Sequence, residues 1–249
     1  MAFLDILPDP NNPTTYSGSA NATGGTNGPG FASVKFSSKS PTIISKTHSG
    51  RVISRRLAAQ TWNIGITYNP LTRNEFEPVY NFLLMKGRIS PFFIELPQHL
   101  TSRNAGTLPD TMAVAAGTAG VTNLIVTGFG TPVTNDTYTN KPLPGDIFTI
   151  TDTDDSLHTK AYRVTRVEIL GTAGQTYEGT PPASGAARIW IHPPLQRTLG
   201  SSTSTLNFGQ DTPPKKPKIR VIMTKDVIEY NLGTDNLYQF GLSLIEANA

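Results

Sequence analysis

The densest set of potentially reactive side chains is Asp152-Thr153-Asp154-Asp155, with His158 close behind. Carboxylates at alternate positions open a calcium loop, which also needs Gly at its sixth position and Glu at its twelfth. Counted from Asp152, those positions hold Leu157 and Arg163, so the run reads as a solvated acidic turn. A hydrolase on a β scaffold would draw on Asp152, Asp154, Asp155 and Glu168, because paired carboxylates need not be neighbours in sequence. Glu75 is accounted for by helix capping, and Glu77 and Glu95 have no evident partner. The four histidines, His48, His99, His158 and His192, form no HExxH pair. Of these, His158 and His192 would meet only if their strands pair. The absence of Cys excludes a thiol nucleophile, an iron–sulfur cluster, a cysteine zinc site and a disulfide scaffold.

Other chemical signatures fail on spacing. Gly128-Phe129-Gly130 follows the apolar Leu124-Ile125-Val126, as a dinucleotide fingerprint requires, but Val133 stands where the third glycine should be. There is no Walker loop and no G-x-S-x-G. The sequence therefore assigns no catalytic, cofactor-binding or metal-ligating residue, and the chain is not expected to be an enzyme. Asn21-Ala22-Thr23 and Asn135-Asp136-Thr137 match glycosylation sequons by chance. Pro214-Lys215-Lys216-Pro217-Lys218 reads as linker rather than nuclear-import tag, since alternating strands flank it. Trp62 and Trp190 fall within strand patterns and read as core rather than as a sugar-stacking platform.

What must position any site is mostly strand and turn. Gly and Pro number 22 and 20 among 249 residues, and only 16% of residues are charged. With Ser and Thr filling the polar share, this favours strands and turns over long surface helices. The formal charge of +3 is too small and too scattered for a sequence-specific nucleic-acid binder. Met1-Ala2-Phe3-Leu4-Asp5 lacks the basic start and apolar run of a secretory signal. The charge-free stretch 111–135 holds too much Thr, Gly and Pro for a membrane span and reads as loop and strand.

The Gly-rich residues 1–30 read as a flexible arm that orders against a neighbouring subunit or stays mobile. Order begins at Phe31, with short strands at Val34–Phe36 and Gly50–Ser54. Trp62, Ile64, Ile66 and Tyr68 then alternate with smaller or polar residues, which puts all four on one sheet face. Thr72-Arg73-Asn74-Glu75 fits a capping box. Asn74 is an alternative cap that would bring Pro78 into the first turn. Phe76, Val79, Tyr80, Leu83 and Leu84 follow helical spacing, and Lys86-Gly87 supplies a basic last turn and a left-handed cap. The helix should pack on the face of Trp62, Ile64 and Ile66, and a strand through Phe92–Leu96 follows. Residues 97–216 show short strands at 123–127, 146–151, 159–168 and 187–192. Residues 211–217 read as a stiff linker. Alternation returns at Ile219, Val221 and Met223 and again from Tyr238 to Leu244. The expected fold is mainly β: a split β-barrel with one flanking helix from 31–96 and 217–249, carrying an inserted small β-sandwich or barrel at 97–216.

The stretch Thr61–Leu83, with Tyr68-Asn69-Pro70-Leu71-Thr72 leading to Phe76, and then Arg88-Ile89-Ser90-Pro91-Phe92-Phe93, resembles the distal-tail and baseplate-hub proteins of tailed bacteriophages. Gly145–Phe148, His158–Thr165 and Ile189–Leu195 are similar to a β module of phage tail proteins, and Tyr238–Leu244 to the closing strand. Together these cover about half the chain. The resemblance implies a structural virion protein of the tail tip, made in the bacterial cytoplasm. It would form a ring, commonly a hexamer, joining tail tube to hub, with tube, hub or fibre proteins as partners. It supplies no catalytic residues. The long arm and large insert depart from the pattern and leave distal-tail ring, tube cap and adaptor all open. Further alternatives are a module that binds host glycan or fibre.

Overall fold

The computed structural model describes residues 5–8, 31–56, 60–96, 102–104, 108–109, 112–114, 116–129, 141–169, 177–180, 182–183, 185–200, 204–211, 214–215 and 217–248. In chain order these form β1 (Phe31–Lys39), β2 (Thr42–Lys46), β3 (Val52–Arg56), β4 (Thr61–Tyr68), α1 (Arg73–Lys86) and β5 (Phe92–Ile94). Next come β6 (Ala113–Val114), β7 (Asn123–Thr127), β8 (Ile147–Thr151), β9 (Ala161–Ile169) and β10 (Ala186–His192). The last are β11 (Ser204–Asn207), β12 (Gln210–Asp211), β13 (Pro214–Lys215), β14 (Ile219–Met223), β15 (Tyr230–Leu232) and β16 (Tyr238–Glu246). The chain is mainly β, with one helix and a closed six-stranded barrel among the described residues. It divides into two compact units, Met1–Phe93 with Val221–Ala247, and Ile94–Arg220 with Asn248–Ala249.

The first unit is an open sheet in the order β1-β4-β16-β14-β5, with β15 added to β16. In β4, Trp62, Ile64, Ile66 and Tyr68 are all buried. The β16 residues Leu242 and Leu244 lie opposite Ile66 and Ile64 on the same face, and burying each such side chain contributes about 1.5–3 kcal/mol. A register shift between Phe31 and Ser33 changes the parity of β1, so that Phe31, Val34 and Phe36 all oppose inward-facing β4 residues. Phe36 stacks on Trp62 at 4.5 Å, and Tyr68 stacks on Phe240 at 4.2 Å.

Helix α1 begins at the capping box. The Glu75 carboxylate accepts hydrogen bonds from the Thr72 amide (2.8 Å) and hydroxyl (2.7 Å). Because Thr72 rather than Asn74 is the cap, Pro78 lies inside the helix, and the Asn74 carbonyl loses its helical donor. Asn74 is exposed, so water can serve it. Phe76, Val79, Phe82 and Leu83 are buried, whereas Leu84 is 54% exposed, one position beyond the stripe. Gly87 closes the helix with φ 55° but extended ψ, its amide donating to the Leu83 carbonyl. Phe76 stacks on Tyr238 at 4.4 Å and meets Phe240 edge-on at 5.2 Å. Phe240 lies on the sheet face that carries Ile64 and Ile66.

Residues 5–8 are placed, although the rest of the expected arm lies outside the described residues. Ile6 bridges Phe93 in parallel, the Leu7 amide donates to the Phe93 carbonyl at 2.8 Å, and Leu7 is buried. Lys86 forms an ion pair with Asp5. This segment covers the outer edge of β5.

The second unit holds the barrel, closed in the order β10-β7-β6-β11-β8-β9. Its core includes Leu124, Val126, Phe148, Tyr162, Ile189 and Phe208. Gly117 is fixed by packing: a Cβ there would lie 3.0 Å from a Leu195 methyl and 3.1 Å from a Leu124 methyl. Within the expected linker 211–217, Asp211 pairs with Pro214, next to Gln210 with Lys215, in a short antiparallel ladder, where proline's fixed φ suits a strand as well as an extended spacer.

Candidate functional site

The structure ties three of the four hydrolase candidates to structural partners. Asp152 accepts from the Asp154 amide at 2.9 Å and the Gly200 amide at 3.4 Å. Asp155 accepts from the Leu157 amide at 3.0 Å and from Arg197. A Cβ on Gly200 would lie 2.5 Å from an Asp154 carboxylate oxygen, so a larger residue there would require the Asp154 side chain to move. Glu168 is fully buried and is held by Arg188 at 2.7 Å, Arg166 at 3.0 Å and the Glu178 amide at 3.2 Å. Asp152, Asp155 and Glu168 are thus occupied in turns and ion pairs. No group of three or more His, Asp or Glu among the described residues is placed to hold a metal ion.

His158 is buried, and its Nε2 shares a 2.9 Å hydrogen bond with the Tyr162 hydroxyl, which also accepts from the Gln196 amide at 3.0 Å. Burial lowers the His158 pKa, opposed by the nearby Asp152 and Asp155 carboxylates. β9 and β10 do pair, and His192 at the end of β10 lies opposite Arg163. Trp190 corrects the reading from alternation. Ala187, Ile189 and Ile191 point into the barrel, and Trp190 stands outside, half-buried, with the Arg166 guanidinium 4.4 Å from its ring centre. His99, both sequons and residues 130–133 lie outside the described residues.

The surface that lacks internal partners is in the other unit. Strands β2 and β3 form a two-stranded ladder of their own, with Ile43 opposite Arg55 and Ser45 opposite Ile53. By alternation, Ile43 and Ile53 share one face while Ile44 and Val52 share the other. All four are more than half exposed, at 56%, 52%, 67% and 54%. A lone two-stranded hairpin is marginal in water, and apolar residues exposed on both faces mark an association surface. Sequence reasoning found β3 and missed β2. The overlooked signal was charge: between Asp9 and Glu75 the sequence has seven Lys or Arg and no Asp or Glu. A stretch of such one-sided charge, interleaved with isoleucines, repels its own kind and suits an acidic partner.

A second exposed feature lies at the far end of the same sheet. β14 leaves β16 after the Thr224 amide donates to the Ser243 carbonyl at 3.0 Å, and the chain rejoins β16 as β15. The excursion from Lys225 to Glu229 borders an open cleft of about 570 Å3, floored by Thr67, Gln239 and Gly241. Val227, Tyr230 and Leu232 nearby are 64%, 45% and 54% exposed.

No protein-family model matches this chain. Over 166 residues it is 29% identical to the distal tail protein pb9 of Escherichia phage T5, a match covering 66% of this chain and 70% of that protein. The likeness supports a phage distal-tail relationship and a structural role in a tail. No helix among the described residues is long and apolar enough to cross a membrane.

Proposed function

We propose that this chain is a structural subunit of a phage tail tip that assembles with copies of itself into a ring, with six-fold closure as the working expectation. The ring joins the tail tube to the baseplate hub, and the barrel unit serves as the attachment point for peripheral tail proteins. The observation that carries this reading is the β2–β3 hairpin. Four exposed apolar side chains on two faces are poorly matched to a free monomer and well matched to a subunit that a neighbour covers. The β1 edge, unpaired beyond β4 among the described residues, is a second open surface of the same unit. The similarity to a distal tail protein supports the setting, a virion tail. No reaction is assigned; Asp152, Asp155 and Glu168 are engaged structurally.

The test is light scattering and negative-stain microscopy of the purified full-length chain, with antibody labelling of the virion. A closed ring in solution and label at the tail tip are the expected results. A strict monomer at high concentration, together with unlabelled tails, would overturn the reading.

A further inference from the structure

We infer that β1 of one copy pairs antiparallel with β15 of the next, so that the open sheets of successive copies join edge to edge around the ring. This rests on the ring reading above and adds which two margins of the sheet unit meet, and in which direction.

Topology sets the direction. β4 runs antiparallel to β1, β16 to β4 and β15 to β16, so β15 runs opposite to β1. It also lies at the other margin. On the β4 side of β16, the Tyr238 amide and carbonyl bond to Leu71, which leaves β15 to pair on the far side. Among the described residues β1 is paired only with β4, and β15 only with β16. A rotation axis parallel to the strands preserves strand direction and keeps the helix-bearing face of every copy on the same side. It therefore brings β15 to β1 antiparallel, with like faces aligned. The two margins are different surfaces, so the contact is heterologous and repeats until the ring closes.

The side chains agree on both faces. On the face that carries Ile64 and Ile66, β1 presents the half-buried Phe31, Val34 and Phe36. On the same face β15 presents Tyr230 and Leu232, opposite Phe240 and Tyr238 and largely exposed. Setting Phe36 against Tyr230 and Val34 against Leu232 gives each an apolar cross-strand neighbour, and it keeps the ladder clear of the irregularity at Phe31–Ser33. On the other face Lys35 then meets Asn231. Glu229, which shares that face with Asn231 and Gln239, falls opposite Ser37 and diagonal to Lys35 and Lys39. Glu229 pairs with no Lys or Arg among the described residues, and Lys225 on the same face lies outside the β15 ladder. The competing edges lack this match. β1 against β1 would gather Lys35 and Lys39 of both copies on one face, like charge beside like charge. The strands β2 and β3 carry Lys46 and Arg55 and no carboxylate, and the β5 margin is covered by residues 5–8. Only Ser40 and Pro41 separate β1 from β2, so a copy docked at β1 lies within reach of the hairpin isoleucines.

The chain has no cysteine, which makes the test direct. Ser37→Cys and Asn231→Cys, diagonal neighbours in this register and clear of the charged residues, are introduced together in one chain. They are also introduced separately in two chains that are mixed before assembly. Each sample is treated with a short bifunctional thiol reagent and run under denaturing conditions, with microscopy in parallel. The expected result is a ladder of covalent oligomers from the double variant and a covalent dimer from the mixture, with neither single variant cross-linking alone. Cross-linking by Ser37→Cys alone would mean that β1 meets β1 and would overturn the inference. Rings that form without covalent linkage would overturn the edge pairing and leave the ring reading intact. A wild-type chain that forms no ring removes both. As a second arm, Glu229→Lys should weaken assembly about fivefold at low salt, and adding Lys35→Glu should restore it, as opposed charges on neighbouring strands require. Failure of the rescue, with both variants folded, counts against the pairing.

Discussion

Each of the six barrel strands has a partner on each side, and the buried Glu168 is matched by Arg188 inside the chain. In the sheet unit, among the described residues, the outer edge of β1 is unpaired, and a hairpin carries exposed isoleucines on both faces. Both units have well-formed cores, so the difference is not one of stability. A closed barrel has no edge to offer and keeps its hydrogen bonds to itself. An open sheet retains backbone groups, apolar side chains and uncompensated charge that another molecule can use. Self-sufficiency in one unit and deficiency in the other is the division of labour expected of an assembly subunit that also carries an accessory domain.

The largest effects test whether the two units are independent. Phe76→Ala removes a side chain that is 1% exposed and stacked on Tyr238, and should cost about 3–5 kcal/mol. The loss should fall on the sheet unit alone, visible by hydrogen exchange as selective deprotection of β4 and β16. Equal deprotection of β8 and β9 would mean that the units unfold together. Glu168→Ala is the matching lesion in the barrel. It leaves Arg188, 12% exposed, without its carboxylate, at a cost of about 3 kcal/mol. Calorimetry should show the barrel transition drop, while ring assembly below that temperature persists.

A smaller effect is pH-dependent. Burial holds the His158 pKa below the ordinary 6.5. The unfolded chain therefore takes up that proton at higher pH than the folded one. The stability His158 contributes is complete above 6.5 and is lost as pH falls through the depressed folded value. Melting temperatures of the barrel measured from neutral to mildly acid pH should decline, and His158→Gln should flatten that part of the slope. An unchanged slope would assign it to other groups. The smallest effect on folding is also the sharpest test of the comparison. Ile43→Ser with Ile44→Ser should change the monomer's stability by no more than about 0.5 kcal/mol, yet abolish self-association by light scattering. A large loss of stability would show that the hairpin packs on its own chain.

Much of this was legible in the sequence because period and spacing are local signals. The alternation from Trp62 to Tyr68, the Thr72–Glu75 cap, and the strands at 123–127, 147–151 and 161–169 need only neighbouring residues to be recognised. Short strands were not legible: β6, β11 and β15 have two to four residues, and long-range pairing rather than local preference makes them strands. Trp190 misled because alternation identifies two faces without saying which one is inside; the barrel's closure decides that. The hairpin escaped for a similar reason. Ile43-Ile44 reads as ordinary buried apolar sequence until the structure shows both side chains more than half exposed. Its one-sided charge was visible throughout, but it acquires meaning only once the hairpin is seen to stand apart with its isoleucines exposed.

The short N-terminal bridge to β5 has a consequence for how copies can join. With residues 5–8 laid along β5, that margin of the sheet is capped by the chain's own backbone. A foreign strand approaching β5 would first have to displace this segment, whereas β1 and β15 each keep one side unpaired among the described residues.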